Sequence, residues 1–337
     1  MPFKPVEDIP DIDNLKLDFK KVTPKMYALI DSTRLALKQR YNFRRKLDYK
    51  DELAAFLRSQ LLLFKTNHQS THILIKYALR QKYPPPIVDA VSLSREQIEK
   101  VFSIALVINN PHKWIKQSLR AAWRGDYQAY LLQQEEHVGS ARFDEFLNTH
   151  YPKFLKQAQH PPSASRRLKP EVCVSEFAKR ALTYYWNNPG GKNPPWFKRK
   201  RRLRDYIAEY FEFPTPGKAI RYISSRDRRR FLVRWHKEYS YLSEYTHPGL
   251  KKTIIPFMNE SKNLRVAEKV DINMDYLIGR AFFTSFIATT SACTLIIPEL
   301  KDDYGAKRQL KEFWGIMNDS SLLSRSLWKI FAENQLK

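Results

Sequence analysis

Three features of the sequence predict an all-α fold. Only 9 of the 337 residues are glycine, too few for the turns of a sheet-rich chain. Leu, Lys, Arg, Glu and Ala, the residues that lose least on entering a helix, fill the stretches between prolines. Within those stretches apolar residues recur three and four positions apart rather than at every second position. With 43% hydrophobic and 13% aromatic residues, the chain can bury a sizeable core in one large domain or two smaller ones.

Residues 1–22 contain Pro and Asp without periodicity, which predicts an N-terminal arm. Thr23 and Pro24 match an N-cap followed by a first-turn proline, so a helix is expected over 24–44. A second helix should start at Asp48 or Asp51 and run towards Lys82, with Leu53, Leu57, Leu61, Phe64, Ile75 and Leu79 near helical spacing. Pro84, Pro85 and Pro86 stop it. A third helix is expected over 87–108 and contains SLSREQIEKVF (92–102), where Arg95 and Glu99 have the one-turn spacing of an intrahelical ion pair. Residues 111–150 predict shorter helices broken at Gly125 and Asp126.

HPPSASRRLKP (160–170) and NNPGGKNPP (187–195) are turn-rich, so 161–205 reads as a basic loop insertion between helical regions 23–160 and 206–337. One long helix is expected over 226–248, RDRRRFLVRWHKEYSYLSEYTHP, with Pro248 and Gly249 as its stop. A basic connector (251–270), a long apolar helix (271–298) and one or two amphipathic helices complete the chain. The run 281–298 carries Thr and Ser and only just reaches the roughly 18 to 20 residues of a membrane span. Both a span and a buried core helix fit it, and the core helix is expected.

The 59 Lys and Arg against 35 Asp and Glu give a net charge of +24, which calls for a polyanionic partner. Nucleic acid comes first, RNA ahead of DNA, and an anionic membrane surface is the alternative. The charge is concentrated: residues 192–237 hold 15 basic and 4 acidic side chains. Candidate phosphate contacts are Lys192, Lys198, Arg199, Lys200, Arg201, Arg202 and Arg204 in the insertion, and Arg226, Arg228, Arg230 and Arg234 in the helix after it. Trp196 stands among them as a base-stacking candidate. A solvated loop, or a nuclear-localisation-like run with Trp196 and Phe197 as anchors, is the competing reading.

Cys173 and Cys293 have neither the number nor the spacing of a disulfide framework or zinc site, which points to a reducing, cytoplasmic compartment. MPFKPVEDIPDIDN offers no apolar run after its charges, so no secretory signal is expected. Neither GxGxxG nor a P-loop occurs, and no cofactor is expected. His68 and His72 (HQSTH) have the i, i+4 spacing that can hold one metal ion. They lack the glutamate of HExxH and a third ligand, so a polar patch between helices is expected and no metal.

In the helix over 226–248, Phe231, Trp235, Leu242 and Tyr245 form an apolar side, while His236, Ser240, Ser243 and His247 form a polar stripe that Arg229 extends backwards. Seven residues turn about 700°, so Arg229 faces nearly as His236 does, and Arg230 points roughly 120° away. Such a pair suits ribonuclease chemistry: His236 takes a proton from a 2′-hydroxyl and Arg229 holds the phosphate. A solvated face is the alternative. His247 lies about 16 Å further along the axis. At the Pro-Gly helix end it suits a capping role.

Through SLSREQIEKVF at 92–102 and YSYLSEYTHP at 239–248 the chain resembles a group of bacterial helical proteins in the HEPN-like superfamily, related to abortive-infection proteins of the AbiV kind. The likeness covers about residues 27–298. It implies a HEPN-like helical bundle core, here with a basic insertion, often dimeric, serving phage defence or a toxin-like stress response. Active HEPN ribonucleases carry Arg-x4-6-His on a helix at a dimer interface and cleave RNA without metal. The resemblance implies Arg229 and His236 as catalytic residues, and Arg95, Glu99, Ser243 and His247 as structural or interface positions. One departure stands out: His247 fits the group's own motif best, yet Ser240, Tyr241 and Leu242 occupy the positions where its arginine would be. A non-catalytic subunit that binds nucleic acid or scaffolds a defence complex is therefore the alternative.

Overall fold

The computed structural model describes residues 12–40, 49–81, 85–138, 175–188, 192–246, 274–300 and 304–319. Of these, 89% are helical and none is in a strand, so the fold is all-α. The helices are α1 (Ile12–Arg40), α2 (Tyr49–Gln81), α3 (Pro85–Asn109), α4 (Pro111–Val138), α5 (Glu176–Asn187), α6 (Leu203–Phe211), the short α7 (Pro216–Ala219), α8 (Arg226–Thr246), α9 (Met274–Ile296) and α10 (Tyr304–Asp319). The chain divides into two compact units. Unit 1 comprises Met1–Asn42, Leu53–Asn109 and Thr215–Lys337, and unit 2 comprises Phe43–Glu52 and Asn110–Pro214.

Unit 1 is built around α9, which packs against α3 and α1, while α3 also meets α8 and α1 also meets α10. The reason lies in its sequence. From Leu277 to Cys293 every side chain but that of Arg280 is buried, and a helix apolar all round belongs inside a core. Some of its hydroxyls are tolerated there because they bond back to their own helix: Thr289 to the Ser285 carbonyl, Thr290 to that of Phe286, both at 2.8 Å. Among the described residues no helix is long and apolar enough to cross a membrane, and the expected core helix is the observed one.

Three boundaries differ from those expected. The first helix begins at Ile12, not at Pro24, and carries Pro24 inside it. Pro24 is exposed, whereas Val22, Thr23, Met26, Leu29 and Ile30 are buried. The lost backbone bond and the ring thus fall on the solvent side, and the packed face continues past them. Second, α4 runs unbroken through Gly125, because one exposed glycine weakens a helix by only about 1 kcal/mol without ending it. Residues 139–150 lie outside the described residues, as do the expected end of the first helix at 41–44 and the connector at 251–270. Third, the expected basic loop insertion contains α5. Ser175 starts that helix, its hydroxyl accepting from the Ala178 amide at 3.2 Å.

Unit 2 has its own core: Tyr127 from α4, Ala178, Ala181 and Leu182 from α5, Leu203, Ile207 and Phe211 from α6, and Phe197 from the connecting loop. Aromatic side chains encircle it, among them Trp123, Trp196, Tyr206 and Tyr210.

Candidate nucleic-acid interface

The basic run of unit 2 lies on a loop held at several points. Asn193 bridges its two ends, its carbonyl oxygen accepting from the Leu203 amide at 2.7 Å and its amide donating to the Arg201 carbonyl at 3.1 Å. The first of these bonds satisfies a free donor at the start of α6, which Arg202 cannot cap itself. Tyr184 donates to the Lys192 carbonyl at 2.9 Å, and the Phe197 amide closes a turn onto the Pro194 carbonyl at 2.9 Å. Phe197 is buried, so of the two loop aromatics it is the anchor. Between these fixings Lys198, Arg199, Lys200, Arg201 and Arg202 are all exposed.

The expected phosphate contacts of this unit, taken with Arg180, fall into three groups. Lys192, Lys198 and Lys200 are exposed. Others lie against aromatic rings: Arg199 over Tyr206 (5.4 Å to the ring centre), Arg204 over Tyr185 (5.9 Å) and Arg180 over Trp196 (4.5 Å). The third group departs from expectation. Arg202 forks onto Asp205 with both bonds at 3.1 Å, and Arg201 pairs with Glu209 and donates to the Asp205 carbonyl at 3.0 Å. These two guanidiniums face carboxylates before they face a phosphate, although such exposed pairs are individually worth little. Burial and the adjacent Tyr210 raise the Tyr206 hydroxyl above the ordinary phenol range, so it stays protonated.

The basic residues of α8 belong to unit 1, so the dense stretch 192–237 is shared between two units. Arg226 and Arg230 are exposed, Arg228 and Arg234 half-buried. Trp235, Leu242 and Tyr245 are buried as expected, joined by Leu232 and Glu238, while Phe231 is half-buried. Arg229 and His236 are not brought together. The Arg229 guanidinium reaches backwards and donates to the Ile223 carbonyl at 3.2 and 2.9 Å and to that of Ser224 at 3.5 Å. Helical side chains tilt towards the N-terminus, which carries Arg229 away from a partner about 10.5 Å further on. His236 instead covers Gly217 of α7, where an added Cβ would stand 3.0 Å from its Nε2.

Arg95, Glu99 and Ser243 do come together, between α3 and α8. Arg95 pairs with Glu99 at 3.2 Å and donates to Thr246 at 3.0 Å, and its guanidinium lies 5.4 Å from the Tyr239 ring centre. Burial and Glu99 raise the Tyr239 hydroxyl. The ion pair therefore also joins two helices. His247 lies outside the described residues.

Two polar sites in unit 1 are structural. His68 is fully buried, with Nδ1 2.7 Å from the Ser285 hydroxyl and Nε2 3.2 Å from that of Thr23, which realises the expected polar patch between helices. Glu238 and Arg280 form a fork between α8 and α9, supported by the Thr284 hydroxyl and by the Tyr241 ring 3.8 Å from the guanidinium. Sequence reasoning missed this pair, although a glutamate on the buried stripe of α8 signals a partner.

Comparison with known proteins found no matching family model, no matching curated protein and no matching solved structure.

Proposed function

We propose that the protein binds nucleic acid through the pinned basic loop of unit 2, as a nucleic-acid-binding effector or subunit of the bacterial defence type its motifs resemble. One observation carries this reading: Lys198, Arg199 and Lys200 follow one another, exposed, on a loop whose backbone is fixed by Asn193 and Phe197. A fixed array of cations releases counterions on meeting phosphates and loses little entropy in doing so. Fluorescence anisotropy with labelled RNA tests it. The triple variant Lys198→Ala, Arg199→Ala, Lys200→Ala is expected to bind roughly ten-fold or more weakly in about 0.1 M salt. Wild-type affinity in that variant would overturn the reading.

Metal-independent RNA cleavage by Arg229 and His236 is a second reading, favoured by the half-exposed imidazole of His236 on a basic helix. The bonds from Arg229 to Ile223 and Ser224 favour binding without cleavage. End-labelled RNA incubated with wild-type protein should therefore stay intact. Cleavage that disappears in His236→Ala would establish the enzyme instead.

A further inference from the structure

Phe177, in the first turn of α5, is a large apolar side chain left 38% exposed. Its ring lies at 25° to that of buried Phe197 with the ring centres 6.1 Å apart, so it packs against the core of unit 2. Two further rings stand edge-on to it: Trp196 at 5.7 Å and 90°, and Tyr206 at 5.4 Å and 83°. Each of these carries an arginine, Arg180 over Trp196 and Arg199 over Tyr206. Both arginines are exposed, and among the described residues neither is paired with a carboxylate. A partly exposed aromatic ring thus packs against the core beside two near-perpendicular rings, each carrying an exposed arginine.

We infer that Phe177 is a stacking platform for an unpaired nucleobase, with Arg180 and Arg199 holding the phosphates on either side of that base. The ligand of unit 2 is then a single strand. This rests on the nucleic-acid reading above and makes it narrower. In a duplex both faces of a base are already stacked on neighbours, so a double helix offers the two arginines phosphates but leaves Phe177 uncovered. A single strand presents the π-face as well, and stacking one base on an aromatic side chain is worth about 1–3 kcal/mol, largely independent of sequence. An acidic peptide would satisfy the arginines but brings no flat ring at the spacing of its charges.

The test compares fluorescein-labelled U12 and dT12 with a duplex of equal phosphate number and with heparin, using the full chain throughout. Wild-type protein is expected to bind the single strands more tightly than the duplex. Phe177→Ala and Phe177→Leu should each weaken single-strand binding by about 5- to 150-fold, while duplex and heparin affinities stay as they were. Phe177→Tyr, which keeps the flat ring, should bind as wild type does. The leucine variant keeps apolar volume over Phe197, so its loss cannot be ascribed to unfolding when its melting temperature matches wild type. Equal losses for duplex and single strand in Phe177→Leu, or unchanged single-strand binding, would overturn the stacking site while leaving nucleic-acid binding standing. Absence of binding to strands, duplex and heparin alike in the wild type would overturn both.

Discussion

His68 shows how a single side chain ties stability to pH. Burial, and secondly the neighbouring His72, push its imidazole down from 6.5 to about 3, so it is neutral in the folded protein. The unfolded chain takes up a proton near pH 6.5 that the folded chain refuses. The stabilisation is therefore complete above pH 6.5 and is lost as pH falls from there towards 3. By pH 5 the loss should be about 2 kcal/mol, readable as a drop in the urea midpoint between pH 7 and pH 5. His72, lowered by burial and Lys76, adds to the same trend. A flat midpoint over that range would contradict a neutral buried His68. The role of this residue was legible in part, because a histidine pair without the glutamate of HExxH or a third ligand predicts a polar patch between helices. The relation of Arg229 to His236 was not. Angular spacing places the two on one side of a helix, but says nothing of where a flexible guanidinium finds acceptors, and Arg229 found them in the preceding turn. Phe177 gave no signal either, since a phenylalanine after a serine N-cap looks like a first core residue.

Between helices, what matters is which contacts cross. Glu238 and Arg280 link α8 to α9 through a buried fork, and removing one partner strands the other charge away from water. Glu238→Ala is expected to cost roughly 3–5 kcal/mol, measurable by denaturant unfolding. A cost below 1 kcal/mol would mean that water reaches Arg280 freely. Gly125 provides the opposite case. It lies exposed inside α4, and a Cβ there would meet nothing within 4 Å. Gly125→Ala should therefore stabilise the protein by about 0.5–1 kcal/mol, by reducing the freedom of the unfolded chain and raising helix propensity. Helix existence was readable wherever apolar spacing was sustained, as in α2, α3, α8 and α9. Two of the three misplaced boundaries share one cause: Pro24 and Gly125 were read as punctuation, but packing on the opposite face outweighs a local cost of a few kcal/mol or less. The helix α5 was hidden by the turn-rich segments on either side of it.

Over the whole molecule, a net charge of +24 attracts any polyanion, so affinity alone cannot identify where a strand lies. The salt dependence can, because each phosphate contacted contributes about 0.7 to the slope of log K against log salt for a single strand. Lys192, Lys198, Arg199, Lys200 and Arg204 in the loop region, with Arg180, would together give a slope near −4 at about 0.7 each. Removing Lys198, Arg199 and Lys200 should bring it to about −2. Arg201 and Arg202 supply a sharper probe, since both are held by carboxylates of α6. Neutralising Glu209 releases Arg201 and removes a negative charge that repels the strand. Glu209→Gln should therefore bind single-stranded RNA more tightly than wild type and steepen the slope by about 0.7. A substitution that strengthens binding cannot be a by-product of damaged folding, and attraction by net charge alone would change affinity slightly without adding a contact to the slope. An unaltered slope in Glu209→Gln would place the strand away from the loop, even if the protein binds nucleic acid elsewhere.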